Sequence, residues 1–166
     1  MLAVRHVVLL SILLLPFPGL AQQAENLRDV TCSFGDGKGV RVQYDHSEKA
    51  RKNGPPLNEA WSPANHPMVL FLDTDIVVGG APVPLGAYRL YVIPGKTNWE
   101  LAVNKGVGNN AKRDASQDIA KTAMQTGQLE GGEEVATIYL AQIGAKQCNV
   151  RVVYGKTMAW GEIHEK

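Results

Sequence analysis

The sequence predicts an all-β fold: an antiparallel β-sandwich, or a barrel-like relative, of about nine short strands behind an N-terminal signal peptide. Three observations lead there. Apolar side chains recur with a period of two along most of the chain, which places them on one buried face of a sheet. Turns built from Gly, Pro, Asn and Asp interrupt these runs at short intervals. No strand–helix–strand alternation appears, as a parallel α/β sheet would require.

The elements follow in order. Val30, Cys32 and Phe34 share one face of a first strand. Gly35-Asp36-Gly37-Lys38-Gly39 turns the chain, and Val40, Val42 and Tyr44 alternate in the next strand, which is a hairpin signal. The Gly-Lys content of that turn is not a phosphate loop, since a strand follows it rather than a helix. Residues 46–67 are proline-rich and polar and read as a long loop carrying Trp61 and His66. Met68 to Leu72 and Ile76 to Val78 are apolar runs on either side of Asp73-Thr74-Asp75. Tyr88, Leu90 and Val92 alternate with Arg89, Tyr91 and Ile93, and Pro94-Gly95 turns the chain into Trp99, Leu101 and Val103.

Residues 104–117 are rich in Gly and Asn and read as a mobile loop. Residues 118–129 are ambiguous. Ile119, Ala120, Ala123 and Met124 would share a helical face capped by Asp114 or Ser116. The stretch is nevertheless short for an independent helix and rich in Thr and Gln. The last third reads as three strands, Val135 to Ile143, Cys148 to Tyr154 and Thr157 to Ile163, separated by Gly144 and Gly155.

The N-terminus has the three parts of a secretory signal in order. Arg5 and His6 give the positive region, and Val7 to Leu15 gives the apolar one. Pro16 and Pro18 end it, and Gly19-Leu20-Ala21 supplies small residues for a cut after Ala21. The apolar run is too short for a permanent anchor, which needs about 20 such residues. The expected product therefore has a signal at 1–21, a flexible N-terminus at 22–27 and a single β-sandwich domain at 28–166, exported to a periplasm or beyond the cell.

Residues 22–166 carry equal charge of both signs. The whole chain has 17 Lys and Arg against 16 Asp and Glu, and Arg5 is the one charged residue in the signal. A neutral domain lacks the basic footprint of a nucleic-acid binder. Two cysteines, Cys32 and Cys148, remain, and in an oxidising compartment an even count reads as a disulfide. Alternation points both toward the core, and the other reading is two buried thiols.

The stretch from Trp61 to Lys105 resembles a bacterial exported family, domain of unknown function 2911. The resemblance rests on Ala64-Asn65-His66, Ile76 to Gly80, Val83-Pro-Leu-Gly-Ala-Tyr-Arg-Leu-Tyr91, Ile93-Pro-Gly95 and Trp99 to Asn104-Lys105. Weaker likeness continues through Asp118-Ile119 and the C-terminal strands. It implies a β-sandwich-like exported domain and brings no activity, cofactor or catalytic residue. Members often carry prolines or β-branched residues at the positions of 119–124, which tilts that segment toward strand. They also commonly have aromatic residues after Asn-Lys, where this chain has Gly106-Val-Gly-Asn-Asn110.

No catalytic constellation stands out. There is no G-x-S-x-G elbow, and Asp73 and Asp75 share one strand face without a second wall for a glycosidase pair. His46, His66, Asp73 and Asp75 supply imidazole and carboxylate for a divalent metal, but without diagnostic spacing. The competing reading has the aspartates satisfying turn amides. Among the tryptophans, Trp99 and Trp160 alternate with apolar strand residues and read as core, whereas Trp61 sits where it could stack on a ligand. The expectation is a non-catalytic binding or interaction module with no cofactor and an unidentified ligand or protein partner. A metal-dependent hydrolase or metal-binding protein using the His46/His66/Asp73/Asp75 group is the alternative.

Overall fold

In the computed structural model, residues 26–47, 54–106 and 113–166 are described. The expected signal at 1–21, residues 22–25, and residues 48–53 and 107–112 lie outside them. Nine antiparallel strands run through the described residues: β1 (Leu27–Ser33), β2 (Gly39–Asp45), β3 (Met68–Leu72), β4 (Ile76–Val78), β5 (Ala81–Val83), β6 (Gly86–Ile93), β7 (Trp99–Asn104), β8 (Asp118–Gly144) and β9 (Gln147–Glu165). They form one sheet in the order β1-β2-β3-β6-β7-β8-β9-β4-β5. The expected all-β antiparallel class is what the chain adopts.

The β1–β2 hairpin forms where its turn residues place it. Asp36 Oδ1 accepts from the Lys38 N–H at 2.9 Å, and the Phe34 N–H donates to the Lys38 carbonyl at 2.7 Å. Register pairs Cys32 with Val40 and Val30 with Val42, so the apolar set of both strands shares one face. β1 begins at Leu27, and the His46 N–H donates to the Asn26 carbonyl at 2.8 Å.

Residues 118–129 are strand, not helix. β8 runs for 27 residues, and its first part pairs with β7, from Asn104↔Asp118 to Trp99↔Met124. The helical capping signal has a local cause: Asp114 caps a single 3-10 turn, Ala115–Gln117, just before the strand. The expected break at Gly155 is also absent. Gly155 does not separate two strands but lies inside the 19-residue β9, at φ 56°. Opposite it, register jumps from Gln128↔Thr157 to Glu133↔Gly155. Extra β8 residues bulge there, and a Cβ on Gly132 would lie 2.7 Å from the Gly155 carbonyl oxygen. A glycine in a strand pattern therefore marks a bulge here and not a turn.

Beyond the bulge, β8 pairs only with β9, from Thr137↔Val153 to Gly144↔Gln147. The sheet folds over, so strands distant in its order become neighbours. Cys32 on β1 and Cys148 on β9 form a disulfide, with Cα atoms 6.3 Å apart and a sequence separation of 116. Beside it the Gly35 N–H donates to the Ala145 carbonyl at 2.6 Å, joining the two hairpin turns. The core lies between the facing surfaces, with Val42, Leu70, Leu90, Leu101 and Val103 from one part and Ile138, Val150, Val152 and Ile163 from the other. Each such side chain contributes about 1.5–3 kcal/mol when fully buried.

Trp61 belongs to this core. It is 2 % exposed, exchanges backbone hydrogen bonds with Val92 at 2.7 and 3.0 Å, and sets its ring edge-on to Tyr154 at 6.2 Å. Trp99 and Trp160, expected as core, are half-buried. The Tyr88 hydroxyl donates to the Pro84 carbonyl at 2.9 Å, pinning the entry to β6 as a tyrosine corner does. No helix among the described residues is long and apolar enough to cross a membrane.

The bridge closes a long loop, so its removal enlarges the unfolded ensemble. Replacing Cys32 and Cys148 together by alanine is expected to lower unfolding free energy by about 2–5 kcal/mol, read from urea unfolding curves. Equal stability of variant and parent would show that the tie does not limit unfolding.

Candidate functional site

Strand parity leaves Thr31, Ser33, Arg41 and Phe71 on the face of β1–β3 opposite Cys32, Val40, Val42, Leu70 and Leu72, which are buried. Register aligns Thr31, Arg41, Phe71 and Ala87 as one row across four strands. Arg41 is held from two sides. Its guanidinium lies 3.8 Å over the Phe71 ring centroid and donates to Asp29 Oδ1 at 2.6 Å. The flat cation on the ring face is a cation–π contact.

In the next row, Ser33 pairs with Gly39, and the Asp73 N–H donates to the Gly39 carbonyl at 3.1 Å. Gly39 cannot fill this row: a Cβ there would run into the Cys32 carbonyl oxygen. Beside this row lies a hollow of about 500 Å³. Thr31, Ser33, Arg41, Phe71 and Asp73 line it, with Gly37, Gly39 and Gly86 in its walls. Its volume lies within the roughly 300–1,000 Å³ range of small-ligand sites.

Of the four residues expected as metal ligands, only Asp73 reaches this hollow. The β2–β3 register runs from Val40↔Leu72 to Gln43↔Val69. It places His46 and His66 toward one end of the pair and Asp73 and Asp75 beyond the other. At about 3.3 Å per residue, β3 holds His66 and Asp73 roughly 20 Å apart. His46 Nδ1 sits 3.3 Å from the Ala136 carbonyl, and exposed His66 has Nδ1 3.3 Å from the Pro67 carbonyl. Asp75 accepts from the Leu85 N–H at 3.0 Å, which is the turn-satisfying role. Among the described residues, no three His, Cys, Asp or Glu side chains gather to hold a metal. The metal alternative is not favoured.

A second polar group lies on the same outer face. Arg89 and Tyr91 are 4 % and 2 % exposed, and the Arg89 guanidinium donates to the Tyr91 hydroxyl at 3.1 Å. Buried Asn104 donates to the Asp114 carbonyl at 2.7 Å and to Asp118 Oδ1 at 2.8 Å, and accepts from the Gly106 N–H at 2.9 Å. Asp118 also binds Arg113 through both carboxylate oxygens and lies 3.3 Å from the Lys121 ammonium. Burial raises the Asp118 carboxyl, but the hydrogen bonds from Arg113 and Asn104 outweigh it and hold it below the usual carboxylate range. The expected loop at 104–117 is thus tied down at both described ends, where the Lys105 N–H also donates to the Gln117 carbonyl at 3.1 Å.

Simple alternation along β6 does not single these residues out. Its two alternating sets are both bulky, Tyr88, Leu90 and Val92 against Arg89, Tyr91 and Ile93. That pattern signals burial on both faces. The hollow left no local signal, since Thr31, Arg41 and Phe71 meet only through register.

The family described as Protein of unknown function (DUF2911) matches residues 28–163. The chain belongs to this family. The match spans all of the hollow-lining residues and the Arg89–Asp118 group. A search of the curated proteins and of the solved structures found no match.

The Asp118 contacts make a pH prediction. A carboxylate with a depressed folded pKa stabilises the fold above its unfolded value of about 3.9, and loses that contribution as pH falls through the folded value. Asp118→Asn should therefore be less stable than the parent by about 1–3 kcal/mol near neutral pH, with the two converging at strongly acid pH. A difference that persists unchanged into acid would assign the effect to packing instead of charge.

Proposed function

We propose that this chain acts outside the cytoplasm as a non-catalytic binding or interaction domain, with the outer face of β1–β3 as its working surface. Residues 1–21 have the order and length of a cleaved signal, and a disulfide suits an oxidising compartment. The observation that carries the binding reading is the hollow itself. It combines a fixed cation, an aromatic ring, two hydroxyls and a carboxylate on one sheet face. Convergent polar groups around a small concave site are what recognition needs. The lining offers recognition without an evident reaction: it holds hydroxyls and a carboxylate, but no imidazole or cysteine thiol to activate a nucleophile.

The export half is checked by mass spectrometry of the chain expressed in a secreting bacterium. The mature product should begin at Gln22, and a membrane-bound chain retaining residues 1–21 would overturn that half. The binding half is checked by thermal unfolding against a screen of small neutral, anionic and cationic compounds. A ligand at about one hundred times its Kd stabilises the folded state by about 2.7 kcal/mol. At least one class should raise Tm in the parent and fail to do so in Asp73→Ala. Chemical conversion of the bound compound would show an enzyme instead.

A further inference from the structure

The hollow's chemistry names its ligand class. We propose that it is a saccharide site, taking a neutral polyhydroxylated ring between Thr31 and Ser33 on one side and Asp73 on the other. This rests on the binding reading above and specifies it.

Charge comes first. Arg41 is the cation of the hollow, and its charge is already matched by Asp29 at 2.6 Å. An anionic ligand would have to compete with that carboxylate and also approach Asp73. The guanidinium has five N–H donors in a planar fork. Its contact with Asp29 runs through Nη1, which leaves other donors to meet a hydroxyl oxygen. Asp73 can only accept. Among the described residues no hydrogen bond engages the Asp73 carboxylate or the Thr31 and Ser33 hydroxyls, and Thr31, Ser33 and Asp73 are exposed.

The walls therefore present donors from Arg41, acceptors from Asp73 and both from the two hydroxyls. A ligand satisfying all of them must itself donate and accept at several adjacent positions while carrying no net charge. Neighbouring hydroxyls on a sugar ring do this, each donating to a carboxylate or hydroxyl and accepting from a guanidinium N–H. A wholly apolar ligand would leave these groups unpaired on desolvation. The stacked pair of Arg41 and Phe71 gives the site a rigid planar wall, which lowers the ordering cost of binding.

The test uses the mature, disulfide-intact protein, isotope-labelled and followed by amide chemical shifts. The probes are glucose, galactose and N-acetylglucosamine, with maltotriose and chitotriose. At least one should shift the amides of Thr31, Ser33, Gly39, Arg41 and Asp73 with a Kd of about 1 mM or tighter. Asp73→Asn should weaken it about tenfold, and Thr31→Val about threefold to tenfold, as removal of charged and neutral hydrogen bonds does. Unshifted amides elsewhere in each variant report that it remains folded. No shift with any of the five sugars, or shifts that ignore both substitutions, overturns the saccharide site. Saturation of the hollow by glycine or tetramethylammonium, with no response to sugars, also overturns it while leaving the binding reading intact. Chemical turnover of a sugar seen in its own spectrum would leave the site standing and overturn the non-catalytic reading.

Discussion

The hydrogen bonding of β8 is the constraint on which the rest of the fold depends. Its first stretch completes the ladder with β7 as far as Met124, and from Gln125 onward it pairs with β9, through the bulge opposite Gly155 and beyond it. A strand that must satisfy both ladders has to change direction between them. Gly132 lets the two backbones approach where a side chain would collide, and Gly155 supplies the positive φ of the bulge. Once β8 has turned, β1–β2 and β8–β9 face each other. Cys32 then reaches Cys148, and Tyr44 is buried to 1 % exposure, where its phenol is pushed above its ordinary range. The core and the covalent tie both follow from that turn.

This also explains which parts of the fold were legible in the residues. Alternation is a local property, so Val40, Val42 and Tyr44 or Leu101 and Val103 announce their strands without help from the rest of the chain. The disulfide was readable because only one pairing exists for two cysteines. The behaviour of Gly155 was not readable, because a glycine flanked by β-rich segments looks the same at a turn and at a bulge. Only the partner strand decides. Asp114 gave a true capping signal whose length was overestimated: it caps one 3-10 turn before the chain extends into β8.

The candidate site was legible in one residue. Asp73 is chemically available in the sequence and lies in the hollow, whereas the other three expected ligands do not line it. His46 and His66 are carried toward the far end by antiparallel pairing, a separation that sequence proximity does not reveal. Trp61 was misplaced for a related reason. Its neighbours are prolines and polar residues, yet its backbone pairs with Val92 and draws the indole under the sheet. Thr31, Arg41 and Phe71 come from three strands and become one surface only through a register that no single segment encodes.

The bond between Cys32 and Cys148 makes the intervening chain a closed covalent ring that contains β2 to β8 and most connecting segments. A single cut by a protease anywhere inside that ring opens the loop without releasing a fragment. The nicked molecule remains one piece, and its strands stay close enough to re-pair. Loop tips are the preferred points of such attack. Two cuts within the ring, or one cut together with reduction of the bond, are needed before any of β2 to β8 can leave.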